Sequence, residues 1–225
     1  MKDVSELIFS SLDLVEELKK NDDIIVLNNH LFPPASNGDF TASSDLLGRK
    51  LDKDILTFYK ETNGLQIRWI SKSNPRYNPR LHKENELPFT YLDVITEEFY
   101  FDGCINILPL NEVFFDIDWN TVFIFDEDAG KSFNFMHEDF DLLDLKKKLR
   151  PFDLFARNDC MSFFTGSSKD FLPCVLQQSY YLDFNSSRVT DFTSYLSFVL
   201  ENKLGTKSRR TMFNEINGHL KEALK

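Results

Sequence analysis

Hydrophobic residues recur at helical spacing in six stretches of the chain. Residues 4–20 place apolar side chains every three or four positions, with acids and lysines between them, which predicts an amphipathic helix. Residues 52–62 show this pattern more strongly, and Asp52 stands where a helix-capping side chain is expected. The same spacing predicts four further helices, over residues 36–47, 140–149, 189–204 and 206–225.

Other stretches alternate, or form the short apolar runs that are typical of β-strands. Residues 65–71 alternate Leu, Ile and Trp with Gln and Arg, which predicts a strand with one buried face. Residues 105–114 predict a strand that ends in a proline-bearing turn. The remaining β predictions are hairpins over 119–136, turning at 126–130, and over 152–166, turning at Asn158-Asp159, and a strand over 173–184. Helices thus come first, then mostly strands, then helices, which indicates the α+β class.

An Asn-Gly pair follows the helix predicted over residues 52–62. Both residue types tolerate positive φ, so the pair can satisfy the helix C-terminus and reverse the chain into the next strand. The aromatic residues of this helix are expected to fix it on a sheet. We therefore assign structural roles to Phe58, Tyr59, Asn63, Gly64, Trp69 and Pro109.

Two stretches of the first ninety residues are predicted to be irregular. Residues 32–40 carry Pro, Gly and Asn and predict a turn or linker. Residues 71–88 are polar, contain three prolines and show no periodicity, which predicts a loop or a mobile flap.

Composition narrows the class of protein. A chain of 225 residues with 42% hydrophobic and 28% charged residues is typical of one globular domain. Its 23 Phe residues indicate a ring-rich core or an aromatic ligand groove. The apolar runs are too short for a membrane span, and acids interrupt the N-terminal pattern, so neither an anchor nor a signal peptide is expected. Cys104, Cys160 and Cys174 share no CxxC spacing, which favours buried free thiols in a reducing cytoplasm.

The charge of −10 makes nucleic acid an unfavourable ligand, because phosphate binding needs a clustered basic surface. The distribution of charge says more than its sum. Residues 112–144 hold ten acids and one base, a net charge of −9, whereas the other 26 acids and 25 bases nearly cancel. This acidic segment is either a solvated face or a surface that docks a basic partner.

Motifs for chemistry are sparse. The sequence contains no GxGxxG, GxxxxGK[ST], HExxH or GxSxG, and its four histidines lie far apart, so no cofactor or metal is expected. The DEDAG sequence at 126–130 resembles the start of a calcium loop, but Gly130 stands where the third ligand belongs. A solvated turn and an acidic docking loop are its other interpretations. A carboxylate pair for glycoside hydrolysis, or a Cys160–His137 pair, has only residue types in its favour.

Four short motifs, taken in order, resemble the SUKH superfamily, which includes fungal cell-wall regulators of the Smi/Knr type and many bacterial immunity proteins. They are PPAS at residues 33–36, LGRKLDKDILTFYKETNG at 47–64, INILPLNEV at 105–113 and VTDFTSYLSFVL at 189–200. Together they span residues 33–203. The resemblance implies a single domain with this core, an N-terminal helical extension over 1–32 and a C-terminal helix over 204–225.

The resemblance also implies an α+β fold with a mixed, mainly antiparallel sheet and no catalytic machinery. Bacterial members of the superfamily typically bind and neutralise a cognate toxin, often a nuclease, in the cytoplasm. A nuclease presents a basic surface, which the acidic segment would complement. Two alternatives remain open: a regulatory scaffold that binds cellular enzymes, and an enzyme that uses acids in a pocket. Neither nucleic acid nor a membrane is an expected partner.

The candidate partner-binding residues lie in the acidic segment. Trp119 is the candidate aromatic anchor among the carboxylates. The full set is Asp116, Asp118, Trp119, Asp126, Glu127, Asp128, Glu138 and Asp139.

Overall fold

A computed structural model describes residues 3–84, 101–115, 132–135, 138–156, 159–166, 171–178 and 189–201. Within these residues the helices are α1 (Val4–Lys19), α2 (Asn37–Leu47), α3 (Lys53–Glu61), α4 (Leu110–Phe115), α5 (Leu142–Lys148) and α6 (Phe192–Glu201). The strands are β1 (Ile24–Leu31), β2 (Leu65–Ser71), β3 (Gly103–Ile107), β4 (Ser132–Phe135), β5 (Glu138–Asp141), β6 (Leu149–Ala156), β7 (Asp159–Phe164), β8 (Cys174–Gln178) and β9 (Val189–Thr190).

Seven strands form one sheet in the order β1-β2-β3-β6-β7-β8-β9, and β4 pairs with β5 in a separate two-stranded sheet. The predicted α+β class is therefore confirmed. Each pairing between described strands is antiparallel, so the parallel part of the expected mixed sheet does not occur among them. The β6–β7 hairpin, the β8 strand and the short helix α5 follow the sequence pattern.

The N-terminal region contains a strand that the sequence pattern did not predict. Helix α1 begins at a capping box formed by Asp3 and Glu6 and buries one face in the main core, as its spacing predicted. Strand β1 then pairs with β2 along its length. The region predicted as an N-terminal helical extension, residues 1–32, thus contains both a helix and a strand of the large sheet. A register shift between Val26 and Asn28 interrupts the alternation that would have revealed the strand.

Strand β2 is buried on both faces, so the prediction of one buried face is wrong. Leu65, Ile67 and Trp69 lie in the main core, as the alternation predicted. Gln66, on the opposite face, is also buried. Its side-chain Nε2 donates to Oδ1 of Asn106 on the neighbouring strand, at 3.0 Å, which satisfies the buried amide. A polar residue in a strand therefore does not mark a solvated face when the adjacent strand supplies its hydrogen-bond partner.

Helix α3 and the turn after it contain four of the predicted structural residues. Phe58 and Tyr59 are completely buried, and the Tyr59 hydroxyl donates to the carbonyl of Leu108 at 3.0 Å. Gly64 has φ +130°, a conformation that favours glycine. The Asn63 side chain accepts a hydrogen bond from the Leu110 amide at 2.8 Å, which satisfies a free N–H at the start of α4.

Helix α4 begins directly after Pro109, where the sequence predicted a strand ending in a turn. The strand is confirmed as β3, but the helix was missed because LPLNEV has only one helical turn of pattern. The Pro109 carbonyl accepts from the Val113 amide at 3.0 Å. On β3, Gly103 lies opposite Trp69, whose indole ring covers the glycine so closely that an added Cβ would lie 1.8 Å from a ring atom.

Aromatic rings fill the space between β6, β7 and α6. Phe152 stacks on Phe163 with ring centroids 4.1 Å apart, and both rings contact Phe192 of α6. The apolar face of α6 is buried as its spacing predicted, although the helix begins at Phe192 because Val189–Thr190 pairs with β8. These contacts favour core packing as the use of the many Phe residues.

The three cysteines provide a direct test of this packing. Cys104, Cys160 and Cys174 are free and completely buried, as predicted. Burial raises the pKa of the Cys174 thiol well above its usual value, with Asp191 and Asp52 adding to the effect. At pH 8 we therefore expect a disulfide reagent such as dithionitrobenzoate to modify none of them in the native state and all three in denaturant. Rapid native labelling would contradict the burial.

Candidate functional site

Most of the predicted partner-binding residues lie outside the described residues. These are Asp116, Asp118, Trp119, Asp126, Glu127 and Asp128, and the predicted hairpin turn at 126–130 lies there with them. Glu138 begins strand β5, and Asp139 follows it with an exposed side chain. The predicted helix over residues 206–225 is also outside the described part of the chain.

Strand β5 displays three of the described acids of the acidic segment, and the other two, Glu112 and Asp144, lie on α4 and α5. Asp139 and Asp141 are exposed and alternate with Phe140, which packs edge to face on Phe164 with ring centroids 5.7 Å apart. The ring anchors the strand, and the pleat therefore directs the two neighbouring carboxylates outward. Asp141 also accepts a hydrogen bond from the Leu143 amide, at 2.9 Å, at the start of α5.

A second group of carboxylates surrounds a cavity of about 240 Å³ at the N-termini of α3 and α6. Asp52, at this cavity, does not cap α3, contrary to the sequence prediction. Its side chain instead accepts from the Leu172 amide and the Arg49 guanidinium. Burial raises the pKa of the Asp52 carboxyl, and these two donors oppose the rise. Asp52 thus fastens the chain before β8 to the start of α3.

The other two carboxylates at the cavity are also engaged in local hydrogen bonds. Asp54 accepts from the Thr193 hydroxyl at 2.7 Å, which links α3 to α6. Asp191 accepts from the Ser194 amide at 2.8 Å and from its hydroxyl at 2.7 Å, as a capping residue does. The cavity therefore places three acids near one another, and each is held by local hydrogen bonds. Asp191 caps α6, whereas Asp52 and Asp54 link α3 to neighbouring segments of the chain.

The loop after β2 carries a repeat that the prediction of an aperiodic loop missed. Its sequence, Asn-Pro-Arg-Tyr-Asn-Pro-Arg, repeats Asn-Pro-Arg after four residues. Oδ1 of Asn74 accepts from the Arg76 amide, and Oδ1 of Asn78 accepts from the Arg80 amide, each at 3.0 Å. Such bonds define Asx turns. We call residues 71–84 the twin-turn loop. It is a loop, as predicted, but an organised one, and the repeat was visible in the sequence.

Backbone bonds close both turns in the same way. The Tyr77 amide donates to the Asn74 carbonyl at 2.9 Å, and the Leu81 amide donates to the Asn78 carbonyl at 3.0 Å. Proline in the second position of each turn fixes the φ angle that such turns need. Each turn therefore presents its arginine from the same position.

Contacts on both sides fasten the twin-turn loop to the sheet. The Asp102 carboxylate accepts from the Ser71 amide at 2.6 Å and from the Asn74 side chain at 3.0 Å. Tyr77 packs on a small apolar cluster on β1, β2 and Phe101. The His82 ring stacks on Tyr77 with centroids 5.9 Å apart, and its Nδ1 accepts from the backbone N–H of Asn78 at 2.9 Å.

Basic residues outnumber acids in this stretch of sequence, but acids lie against it in the fold. Residues 62–84 contain five basic residues and one acid, Glu84, which forms an ion pair with Lys19. Asp23 also accepts hydrogen bonds from the Ser71 and Ser73 hydroxyls.

The guanidinium carbon of Arg68 lies 4.5 Å from the Phe101 ring centroid, and its Nε donates to Oδ1 of Asn28 at 2.8 Å. The other four, Lys72, Arg76, Arg80 and Lys83, have exposed side chains. Leu81 lies among them with 76% of its surface exposed.

Comparison with known proteins assigns no family. No protein-family model matches the chain, and no curated protein sequence is significantly similar to it. Among the described residues, no three His, Cys, Asp or Glu side chains come close enough to hold a metal ion. The described helices include none with the length and apolarity that crossing a bilayer requires. Charge and geometry therefore carry the functional argument.

Proposed function

We propose that this chain is a non-enzymatic, cytoplasmic protein-binding module of SUKH type that acts as an immunity protein against a basic, nuclease-type toxin. The observation that carries the proposal is the net charge of −9 over residues 112–144 in a chain whose remaining charge nearly cancels. An acidic surface accelerates encounter with a basic toxin and occupies the surface that nucleic acid would use.

The order of elements supports the SUKH part of the proposal. Helix α3 ends in the Asn63-Gly64 turn, which leads directly into β2, and β3 follows as its antiparallel neighbour. The segment after β3 then passes through Pro109, and α6 packs its apolar face in the common core. This is the sequence of elements on which the resemblance rests.

The described acids support a docking role over a catalytic one. Asp139 and Asp141 project from a strand whose intervening Phe140 is anchored, which is an arrangement for surface contact. The acids at the cavity beside α3 accept hydrogen bonds from backbone amides and from a neighbouring side chain. A general acid or base needs a proton donor or acceptor within reach of substrate, and these carboxylates are already used in holding the fold.

The first test identifies the partner by its effect on growth. The immobilised chain is exposed to a lysate of its source cells, and retained proteins are identified by mass spectrometry and expressed singly in a laboratory bacterium. We expect one of them to arrest growth and co-expression of this chain to restore it. If no retained protein arrests growth, or if the chain does not relieve the arrest, the immunity proposal fails.

Charge reversal then tests the acidic segment. The variant Asp126→Lys/Glu127→Lys/Asp128→Lys should associate with the captured toxin about tenfold or more slowly at low salt, because the attractive field is reversed near the contact. The measurement is the association rate at two or more ionic strengths.

A matched control changes the same net charge elsewhere. The variant Asp13→Lys/Glu16→Lys/Glu61→Lys alters three exposed helical acids and should retain most of the association rate. Equal slowing in both variants would attribute the effect to net charge alone and remove the docking role of residues 126–128.

A further inference from the structure

Helix α1 carries apolar residues on its outer side as well as on its buried side. Its inner face lies in the main core and packs against α3, α6 and β1. Phe9 and Leu12 lie one turn apart on the outer side, with 68% and 38% of their surfaces exposed. Ile8 is partly buried against the main core and adjoins them. We call Ile8, Phe9 and Leu12 the outer stripe of α1.

Acidic side chains border the outer stripe. Asp13 and Glu16 are exposed and stand four residues after Phe9 and Leu12, which places each acid beside an apolar residue on the helix surface. Residues 1–20 hold five acids and three bases. Among the elements packed on α1, helix α3 holds two acids and two bases, and α6 holds one acid. The turn after α1 holds two more acids beside Lys72. The surroundings of the stripe are therefore acidic.

Residues 206–225 have the complementary pattern. Phe213, Ile216, Leu220 and Leu224 recur at helical spacing, which predicts a helix with one apolar face. The segment holds five bases and two acids, the opposite balance to that of α1. A single amphipathic helix gains most of its stability from burial of its apolar face, and Gly218 within this pattern increases that dependence.

The path of the chain brings this segment close to α1. Helix α6 packs on α1 and ends at Glu201. Residues 202–205 join Glu201 to the segment and span up to about 14 Å when extended. A helix is about 10 Å wide with its side chains, so a linker of this length can pass around α1 to its outer side. The segment therefore reaches the outer stripe without any rearrangement of the described fold.

We propose that residues 206–225 form an amphipathic helix that packs on the outer stripe of α1, with its apolar residues over Phe9 and Leu12 and its bases beside Asp13 and Glu16. A second copy of the chain suits the stripe less well, because two copies of α1 would bring acids together. A separate basic protein would compete with a segment of similar chemistry that is tethered beside the stripe at high effective concentration.

This packing is independent of the proposed immunity function. It concerns α1 and the C-terminal segment, whereas the immunity proposal rests on the charge of residues 112–144. It makes residues 206–225 a part of the folded domain, so we do not expect them to act as a separate basic contact for a partner. The tests use the chain alone, and their outcome leaves the immunity proposal unaffected.

Photo-cross-linking of the full-length chain tests the contact directly. Phe9→p-benzoylphenylalanine places a photoreactive ring on the outer stripe, and Leu46→p-benzoylphenylalanine, at an exposed apolar position of α2, is the matched control. After irradiation and proteolysis, we expect mass spectrometry to find position 9, but not position 46, joined to residues 206–225 of the same chain. The absence of these cross-links overturns the proposal. Products of twice the chain mass would instead identify a second copy as the occupant, which also overturns it.

Thiol labelling measures how firmly the segment covers the stripe. In Leu12→Cys the new thiol would lie under the segment. Iodoacetamide should modify this thiol about tenfold faster when Phe213→Asp/Ile216→Asp/Leu220→Asp is added, because charged side chains do not pack on an apolar stripe. The native cysteines are buried in the core and should stay unlabelled in both variants, which reports an intact fold. Equal labelling rates with and without the three changes would show that the segment does not cover Leu12.

Charge reversal tests the acidic border of the stripe. Glu16→Lys should lower the yield of the cross-link from position 9 to residues 206–225 about twofold or more at low salt, and less at high salt. Asp45→Lys is the matched control, because Asp45 is also an exposed acid near the C-terminus of its helix. It should leave the yield unchanged. Equal loss in both variants would mean that net charge alone attracts the segment, which contradicts the proposed position of its bases.

Discussion

Replacing Gly64 with Val is expected to destabilise the protein by about 3 to 5 kcal/mol, a large part of the stability of a typical domain. Gly64 has φ +130°, which costs a β-branched residue about 1–3 kcal/mol. A Cβ at this position would also lie 2.6 Å from the Ile107 carbonyl oxygen and 3.2 Å from the Leu108 carbonyl carbon. These are backbone atoms at the end of β3 and of the residue after it, so relief of the clash requires movement of the main chain there.

Urea denaturation of Gly64→Val, compared with Gly48→Ala, measures this effect. Gly48 also has positive φ, at +64°, but a Cβ added there would meet no atom of the surrounding fold within 4 Å. We expect Gly48→Ala to cost only about 1 kcal/mol, from backbone conformation alone. If Gly64→Val were as stable as Gly48→Ala and had lost only partner binding, the architectural role of Gly64 would be wrong.

The sequence predicted helices better than it predicted the strand β1 and the helix α4. Helix α1 has a regular apolar stripe and a capping box, both of which are local signals. Strand β1 contains a bulge and consecutive polar residues, Asn28 and Asn29, so its pairing with β2 depends on the partner strand. Helix α4 begins through a bond from the Leu110 amide to Asn63, 47 residues earlier in the chain, which no local pattern reveals.

The acidic segment and the twin-turn loop differ in how far the sequence could reveal them. The acidic segment is evident from a count of charges. The twin-turn loop was visible as a repeat of Asn-Pro-Arg, but its polar composition and prolines also match an unstructured loop. What distinguishes the two interpretations is the bonding of Asn74 and Asn78 to the amides two residues later, and the packing of Tyr77 on the sheet.

The seam between the two parts of the large sheet depends on Asp153. Strands β3 and β6 share one aligned residue pair, Ile107 with Asp153, and β6 bulges beside it. Oδ1 of Asp153 accepts from the backbone N–H of Asn106 at 2.8 Å, and Oδ2 accepts from the Tyr195 hydroxyl at 2.5 Å. One completely buried side chain thus joins β3, β6 and α6. The sequence showed only an acid within the apolar run FDLF, with no sign of this role.

The variant Asp153→Leu is therefore expected to lose about 3 to 5 kcal/mol of folding free energy, because two buried donors, the Asn106 amide and the Tyr195 hydroxyl, lose the acceptors that Asp153 provides. Tyr195→Phe removes one of these donors together with its bond and should cost about 1 to 2 kcal/mol. Urea denaturation of both single variants and the double variant closes a thermodynamic cycle. We expect the double variant to be more stable than the sum of the single losses predicts, since the two groups share one bond. Full additivity would show that the Tyr195–Asp153 bond contributes nothing to stability.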